Sequence, residues 1–176
     1  LADLGVTTET LPPDTRRDIL DPDAPFVFVD TSAIDAPERQ RAGSHSRENP
    51  REARMVTQLA ADLIDAGVAP NQIAIIAPYD DQMDRIEGQL DADAVEVDTV
   101  DGFQGREKEA VLVSLVRSND RGEIGFLDEP RRFNVALTRA KRKAVIVGDT
   151  ATVTAGAVFD AVVRYAEDEG RIVRLS

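Results

Sequence analysis

Short apolar runs rich in β-branched residues alternate along the chain with stretches of helical period. "FVFVD" (26–30), "IAIIAPY" (73–79), "VEVDTV" (95–100), "AVLVSLV" (110–116), "AVIVGD" (144–149) and "RIVRL" (171–175) read as strands. Most are near-continuously apolar, which is the pattern of strands covered on both faces. Between the first two, "NPREARMVTQLAADLIDAG" (49–67) puts Met55, Leu59 and Leu63 on one helical face, with Asn49 as cap, Pro50 in the first turn and Gly67 as stop. "DDQMDRIEGQL" (80–90) repeats the pattern with Met83, Ile86 and Leu90, and "GAVFDAVVRYAEDEG" (156–170) supplies a last amphipathic helix. A further helix is expected over "DEPRRFNVALTRAKR" (128–142), capped by Asp128 or Glu129, started by Pro130 and striped by Phe133, Ala136, Leu137 and Ala140. Strands alternating with such helices predict an α/β fold, a doubly wound, mostly parallel sheet with helices on both faces.

Two segments stand outside that alternation. Residues 1–25, rich in Pro and Asp, read as a linking arm, and 35–50 as a long polar loop; low apolar content predicts that both are mobile unless something docks on them. The folded domain is therefore expected over 26–176. A length of 176 residues with 42% apolar content suits one domain with a proper core. No apolar run approaches a membrane span and no leader pattern opens the chain, so a soluble cytoplasmic protein without a membrane partner is expected. With no cysteine and a single histidine, His45, disulfides, thiolate metal sites and histidine metal sites drop out, and no metal ligands are assigned.

Net charge changes the picture. The formal charge is −12, but residues 1–100 hold 8 basic and 21 acidic side chains, and residues 101–176 hold 13 and 12. Between Arg131 and Lys143 lie six basic residues and no acidic one. A local site for a polyanion can survive on such a body. The abundant Asp and Glu would suit solubility in high salt, so a halophilic source is an expectation.

Ligands of such sheets bind in loops beyond the carboxyl ends of strands. Three of these loops are rich in polar residues: "PYDDQ" (78–82), "TVDGFQGREKE" (99–109) and "RSNDRGEIGFLDEPRR" (117–132). In the second, Gly102 and Gly105 permit close backbone approach, Gln104 donates and accepts, and Glu107 can accept from sugar hydroxyls. A tight turn between two strands explains these residues equally well. On the expected helix, Arg132 and Arg139 are seven apart and project from one side. Arg139, beside the packed stripe, is a fixed planar donor suited to phosphate, whereas Lys141, Arg142 and Lys143 read as helix-end charge.

"VDTVDGFQGREKEAVLVSLVRSN" followed by "GFLDEPRRFNVALTRAKRKAVIVGD" resembles motifs V and VI of superfamily 1B helicases, in the branch of the nonsense-mediated-decay, immunoglobulin-mu-binding and replication helicase-nuclease enzymes. "IAIIAPYDDQMDRI" resembles motif IV, to which Tyr79 and Gln82 belong, and "NPREARMV" the Asn-x-x-Glu-Ala helix upstream. The resemblance implies the second RecA-like domain of a P-loop NTPase motor that uses ATP and Mg. Arg139 matches the arginine finger, Glu107 a ribose contact, and Gln104 and Gly105 would lie beside the phosphates. Thr99 and Asp101 fall where motif V couples the nucleotide to single-stranded DNA or RNA. Arg132 and Asn119 would brace the cleft or touch the strand. No "GxxxxGK[ST]" loop and no apolar strand ending in "DE" is present, so phosphates and magnesium would be held mainly by an N-terminal RecA-like domain of the same protein. The chain is thus expected to be a C-terminal fragment, inactive alone. The alternative is a stand-alone, noncatalytic α/β module that binds nucleotide or a protein partner.

Overall fold

In the computed structural model, six strands form one parallel sheet among the described residues: β1 (Phe26–Asp30), β2 (Ile73–Ile76), β3 (Glu96–Asp98), β4 (Lys108–Ser114), β5 (Ala140–Gly148) and β6 (Arg171–Arg174). Their order across the sheet is β3-β2-β4-β5-β1-β6. The structure describes residues 1–103 and 106–176, and only the backbone of 130, 132 and 135. The six apolar runs form the sheet because alternate residues feed two separate cores. Val27, Val29, Ile75, Leu112, Val145 and Val147 point to one face, and Phe28, Ile76, Val111, Val113 and Ile146 to the other.

Helices α2 (Pro50–Asp65) and α3 (Asp80–Glu87) cover the first face, with Val56, Leu59, Leu63 and Ile86 fully buried. The second face is covered by α4 (Pro130–Leu137), α5 (Thr150–Val153) and α6 (Ala157–Asp168), where the Phe133 and Phe159 rings meet edge to face at 4.9 Å. This is the doubly wound arrangement expected from the apolar pattern, and it is RecA-like as the resemblance implied.

Residues 1–25 do not behave as a loose arm. Leu1, Val6, Leu11, Ile19, Leu20 and Ala24 all join the first core, and a short helix, α1 (Thr15–Leu20), forms with Asp14 as its cap. The spacing of these apolar residues is too irregular to register as an element, which is why composition alone suggested mobility. The 35–50 loop is anchored as well: Glu48, 1% exposed, accepts from Arg39, Arg41 and Arg85 at 2.7, 2.7 and 2.8 Å. Those guanidinium groups, Arg85 foremost, hold its carboxyl down at about 2.

The helix expected to run to Arg142 stops at Leu137, and β5 begins at Ala140. Arg139 is therefore not mid-helix, and it shares no helical face with Arg132. The reason is tertiary. At this end β5 pairs with β4, from Lys108 opposite Ala140 to Ala110 opposite Lys143, before β1 joins on its other side at Ala144, and that pairing outweighs the helix propensity of Ala, Arg and Lys. Lys141, Arg142 and Lys143 thereby become strand residues with strand alternation. Arg142 pairs with Glu109 and with Asp3, and the fully buried Lys143 donates from Nζ to the carbonyls of Asp21 and Ala24. Ala144 N–H donates to Pro25 O at 2.8 Å. Arg142 and Lys143, read as helix-end charge, are the clamp that fastens residues 1–25 to the sheet.

Burial pushes the Lys143 ammonium down from 10.5 to about 7. The unfolded chain keeps that proton up to about pH 10.5, so between pH 7 and 10.5 the unfolded state binds more protons and this group adds stability as pH rises. Denaturant titrations should show the native chain gaining stability relative to Lys143→Met from pH 7 to pH 9.5. Parallel pH profiles for the two proteins would assign the buried amine no such role.

Candidate functional sites at the two edges of the sheet

Because every strand runs the same way, the sheet has an amino edge and a carboxyl edge, and the candidate residues divide between them. Glu107 immediately precedes β4 and Arg139 immediately precedes β5. These strands are neighbours with Lys108 opposite Ala140, and Lys108 N–H donates to Arg139 O at 3.0 Å. Glu107 and Arg139 are thus brought together at the amino edge, not in the carboxyl-end loops where ligand sites were expected. Thr99 and Asp101 follow β3 at the carboxyl edge. Thr99 and Asp101 thus lie at one edge and Glu107 at the other, on the one connection between β3 and β4. Gln104 and Gly105 lie outside the described residues, as does the side chain of Arg132.

At the amino edge Glu107 is exposed, and Arg139 is half-buried with its Nε out of solvent and without a partner among the described residues. A buried donor left unmade costs about 1–3 kcal/mol, so this nitrogen calls for an acceptor. The neighbouring cations are engaged: Arg106 pairs with Glu96 and Asp98, and Lys108 with Glu96 at 3.1 Å. No group of His, Asp or Glu among the described residues could hold a metal ion.

At the carboxyl edge a cleft of about 360 Å³ opens between Thr99 and Asp101 on one side and Tyr79 and Asp80 on the other, with His45 and Phe126 at its walls. Thr99 Oγ1 accepts from Gly102 N–H at 3.1 Å, which leaves its own proton to donate. The close approach expected at Gly102 is real, but what approaches is the Asp98 carboxylate, whose atoms occupy the space of a Cβ. Asn119 was expected to brace the cleft or touch a strand. Its Nδ2 donates to Glu38 and to Glu123 O, and its Oδ1 accepts from the N–H groups of Arg121 and Glu123, so the amide is spent on its own turn.

Beneath this edge lies a buried polar hub. Glu52 Oε2 accepts from Ser114 Oγ at 2.7 Å and from Val116 N–H at 2.8 Å, while Asn49 Nδ2 donates to Glu52 Oε1 and to Val116 O. Gln82, 0% exposed, donates to Ser114 Oγ and Asn49 O and accepts from Asn49 N–H. Together these bonds hold Val116 at φ 71, costly for a β-branched residue, in a tight turn closed by Arg117 N–H to Leu115 O at 2.8 Å. The turn sends Arg117 back into the protein, 4% exposed, where it pairs with Glu38 at 2.8 Å and donates to Tyr79 Oη at 3.2 Å.

Comparison with known proteins fits this arrangement. The AAA domain family matches residues 4–151. The chain belongs to this family. It is 44% identical over 150 residues to the mouse (Mus musculus) DNA-binding protein SMUBP-2, covering 84% of this chain and 15% of that protein. It is 42% identical over 150 residues to the mouse DNA replication ATP-dependent helicase/nuclease DNA2, covering 81% and 14%. DNA polymerase alpha-associated DNA helicase A of Schizosaccharomyces pombe is 41% identical over 138 residues, covering 74% and 21%. The chain thus spans a small part of the length of these relatives, and the helicase resemblance is borne out by them.

Within this AAA domain, Glu38, Val116, Arg117 and Phe126 went unremarked in the sequence. Glu52 entered only through the Asn-x-x-Glu-Ala resemblance, and Asn49 caps the helix there by accepting at Oδ1 from Glu52 N–H. Burial raises the Glu52 carboxyl from 4.5 to about 8 against the pull of its Ser114 and Val116 donors. The folded state therefore holds the proton longer, and the stability this group contributes, complete below pH 4.5, is lost as pH rises through 8. The native chain should lose stability relative to Glu52→Gln between pH 5 and 8 in thermal unfolding. A constant difference across that range would refute a titrating Glu52.

Proposed function

We propose that this chain is the second RecA-like motor domain of an ATP-dependent helicase, as the superfamily 1B resemblance implies. The observation that carries the proposal is the half-buried Arg139, whose Nε lacks a partner among the described residues at the amino edge beside Glu107, while the Thr99 cleft opens at the other edge of the same sheet. Two ligand sites on opposite edges of one rigid sheet are what a domain needs to couple nucleotide state to movement along a strand.

In this reading ATP with Mg²⁺ supplies the phosphoanhydride to be cleaved, held mainly by the first RecA-like domain of the same protein. Arg139 contributes a permanent charge at the γ-phosphate, where negative charge grows during hydrolysis. Glu107 accepts from the ribose, Gln104 and Gly105 lie along the phosphates, and Arg132 supports the cleft. At the carboxyl edge Thr99 donates to a backbone phosphate of single-stranded DNA or RNA, and Asp101 sits at the start of the loop that links the two edges. Such contacts bind a strand without reading its sequence. Asn119 keeps a bracing role through its turn. The relatives' names favour DNA as the strand. The isolated chain carries half of the ATP site and is not expected to turn over ATP.

The test is Arg139→Ala in a protein that contains both domains. Turnover should fall by about 10³-fold or more, in the range of arginine fingers, with nucleotide affinity largely kept. Near-normal, nucleic-acid-stimulated ATPase would remove Arg139 from the mechanism and favour the noncatalytic binding module.

A further inference from the structure

Two large apolar side chains are exposed among the described residues, Phe126 at 57% and Tyr165 at 56%. A single exposed apolar residue needs no explanation by itself. Phe126 differs in its seat. It lies on a 3₁₀ turn, Gly125–Asp128, whose next residue, Leu127, is fully buried and whose Leu127 N–H donates to Ile124 O at 3.1 Å. Gly125 adopts φ 53, and a Cβ there would collide with Arg117 Nη1 and Tyr79 Oη, so the turn is pressed against the buried Arg117 and Tyr79 pair. The Phe126 and Tyr79 rings are 5.4 Å apart at 44°. The ring is therefore fixed from below, with its body left in solvent at the wall of the Thr99 cleft.

The chemistry around it says what would cover it. Asp80, exposed on the Tyr79 side of the cleft, puts a carboxylate near the ring, which disfavours a phosphate there and leaves the phosphate contact to Thr99 on the opposite side. An uncharged planar group with donors on its edge suits both the ring and the Asp80 carboxylate, and a nucleobase with an exocyclic amino group is such a group.

We infer that Phe126 is a base-stacking platform, taking one nucleobase of the bound single strand on the Tyr79 and Asp80 side of the cleft while the sugar-phosphate backbone runs along the Thr99 side. The inference rests on the strand-binding reading above and adds to it a contact to a base. Stacking of a base on an aromatic ring is tolerant of sequence, so it fits an unspecific strand grip. The support from Glu52, Val116, Arg117 and Tyr79 gains a purpose here, because a stacking surface must not yield when the strand moves.

The chain contains no tryptophan, so Phe126→Trp installs one tryptophan at the platform and Tyr165→Trp one at the amino edge, beside Phe26, each excited selectively over tyrosine. A short dA oligonucleotide should quench the first and leave the second unchanged, and an abasic oligomer with the same phosphates should quench neither. In fluorescence anisotropy with labelled oligomers, Phe126→Ala should lose about tenfold in affinity for the dA strand and nothing for the abasic one. Strand binding that is indifferent to Phe126→Ala, with no quenching at the platform, would overturn stacking and leave the strand-binding reading standing. Failure of the unaltered chain to bind either oligomer would overturn the strand-binding reading, and stacking with it.

Discussion

The parallel pairing of β4 with β5 is the constraint on which the rest depends. Both strands are buried on both faces, so their apolar side chains fix register and direction, with Val111 to Ser114 opposite Ala144 to Val147. The seven residues of β4 separate the sheet's two edges by about 20 Å at strand rise. Once that separation exists, the residue before each strand and the residue after it belong to different sites. Arg139 and Glu107 fall at one end, and the turn through Val116 and Arg117 falls at the other.

The same pairing decides what the basic cluster does. A continuous helix would have displayed its arginines and lysines as a patch. By beginning at Ala140, β5 instead sends Arg142 to two carboxylates and buries Lys143 under residues 1–25. Arg39, Arg41 and Arg85 are absorbed in the same way by Glu48. On a body of net charge −12, Arg139 differs from these cations in keeping a buried nitrogen without a partner among the described residues.

The carboxyl edge follows a second logic, in which backbone strain is held in place by buried hydrogen bonds. Val116 keeps its unfavourable φ because Glu52 and Asn49 bind both its N–H and its carbonyl. Arg117, Tyr79 and the Gly125 turn stack outward from that point and end in an exposed ring. Gln82, which the resemblance assigns to motif IV, is an internal tie between α3, α2 and β4.

The sequence by itself determined the strands, the principal helices and the α/β class, because near-continuous β-branched runs and apolar residues at spacings of three and four are local patterns that survive in one dimension. It also singled out Arg139, Glu107 and Thr99, through residue types suited to phosphate and sugar and through family motifs. Only the tertiary structure decided where the helix yields to β5, since pairing with a strand distant in sequence, β4, cannot be read from helix propensity. Only it docked residues 1–25, whose buried apolar side chains carry no periodicity, and only it gathered Glu38, Glu52, Tyr79, Arg117 and Phe126 at one edge. Those side chains come from segments far apart in the chain, and their meaning lies in contacts that only folding makes.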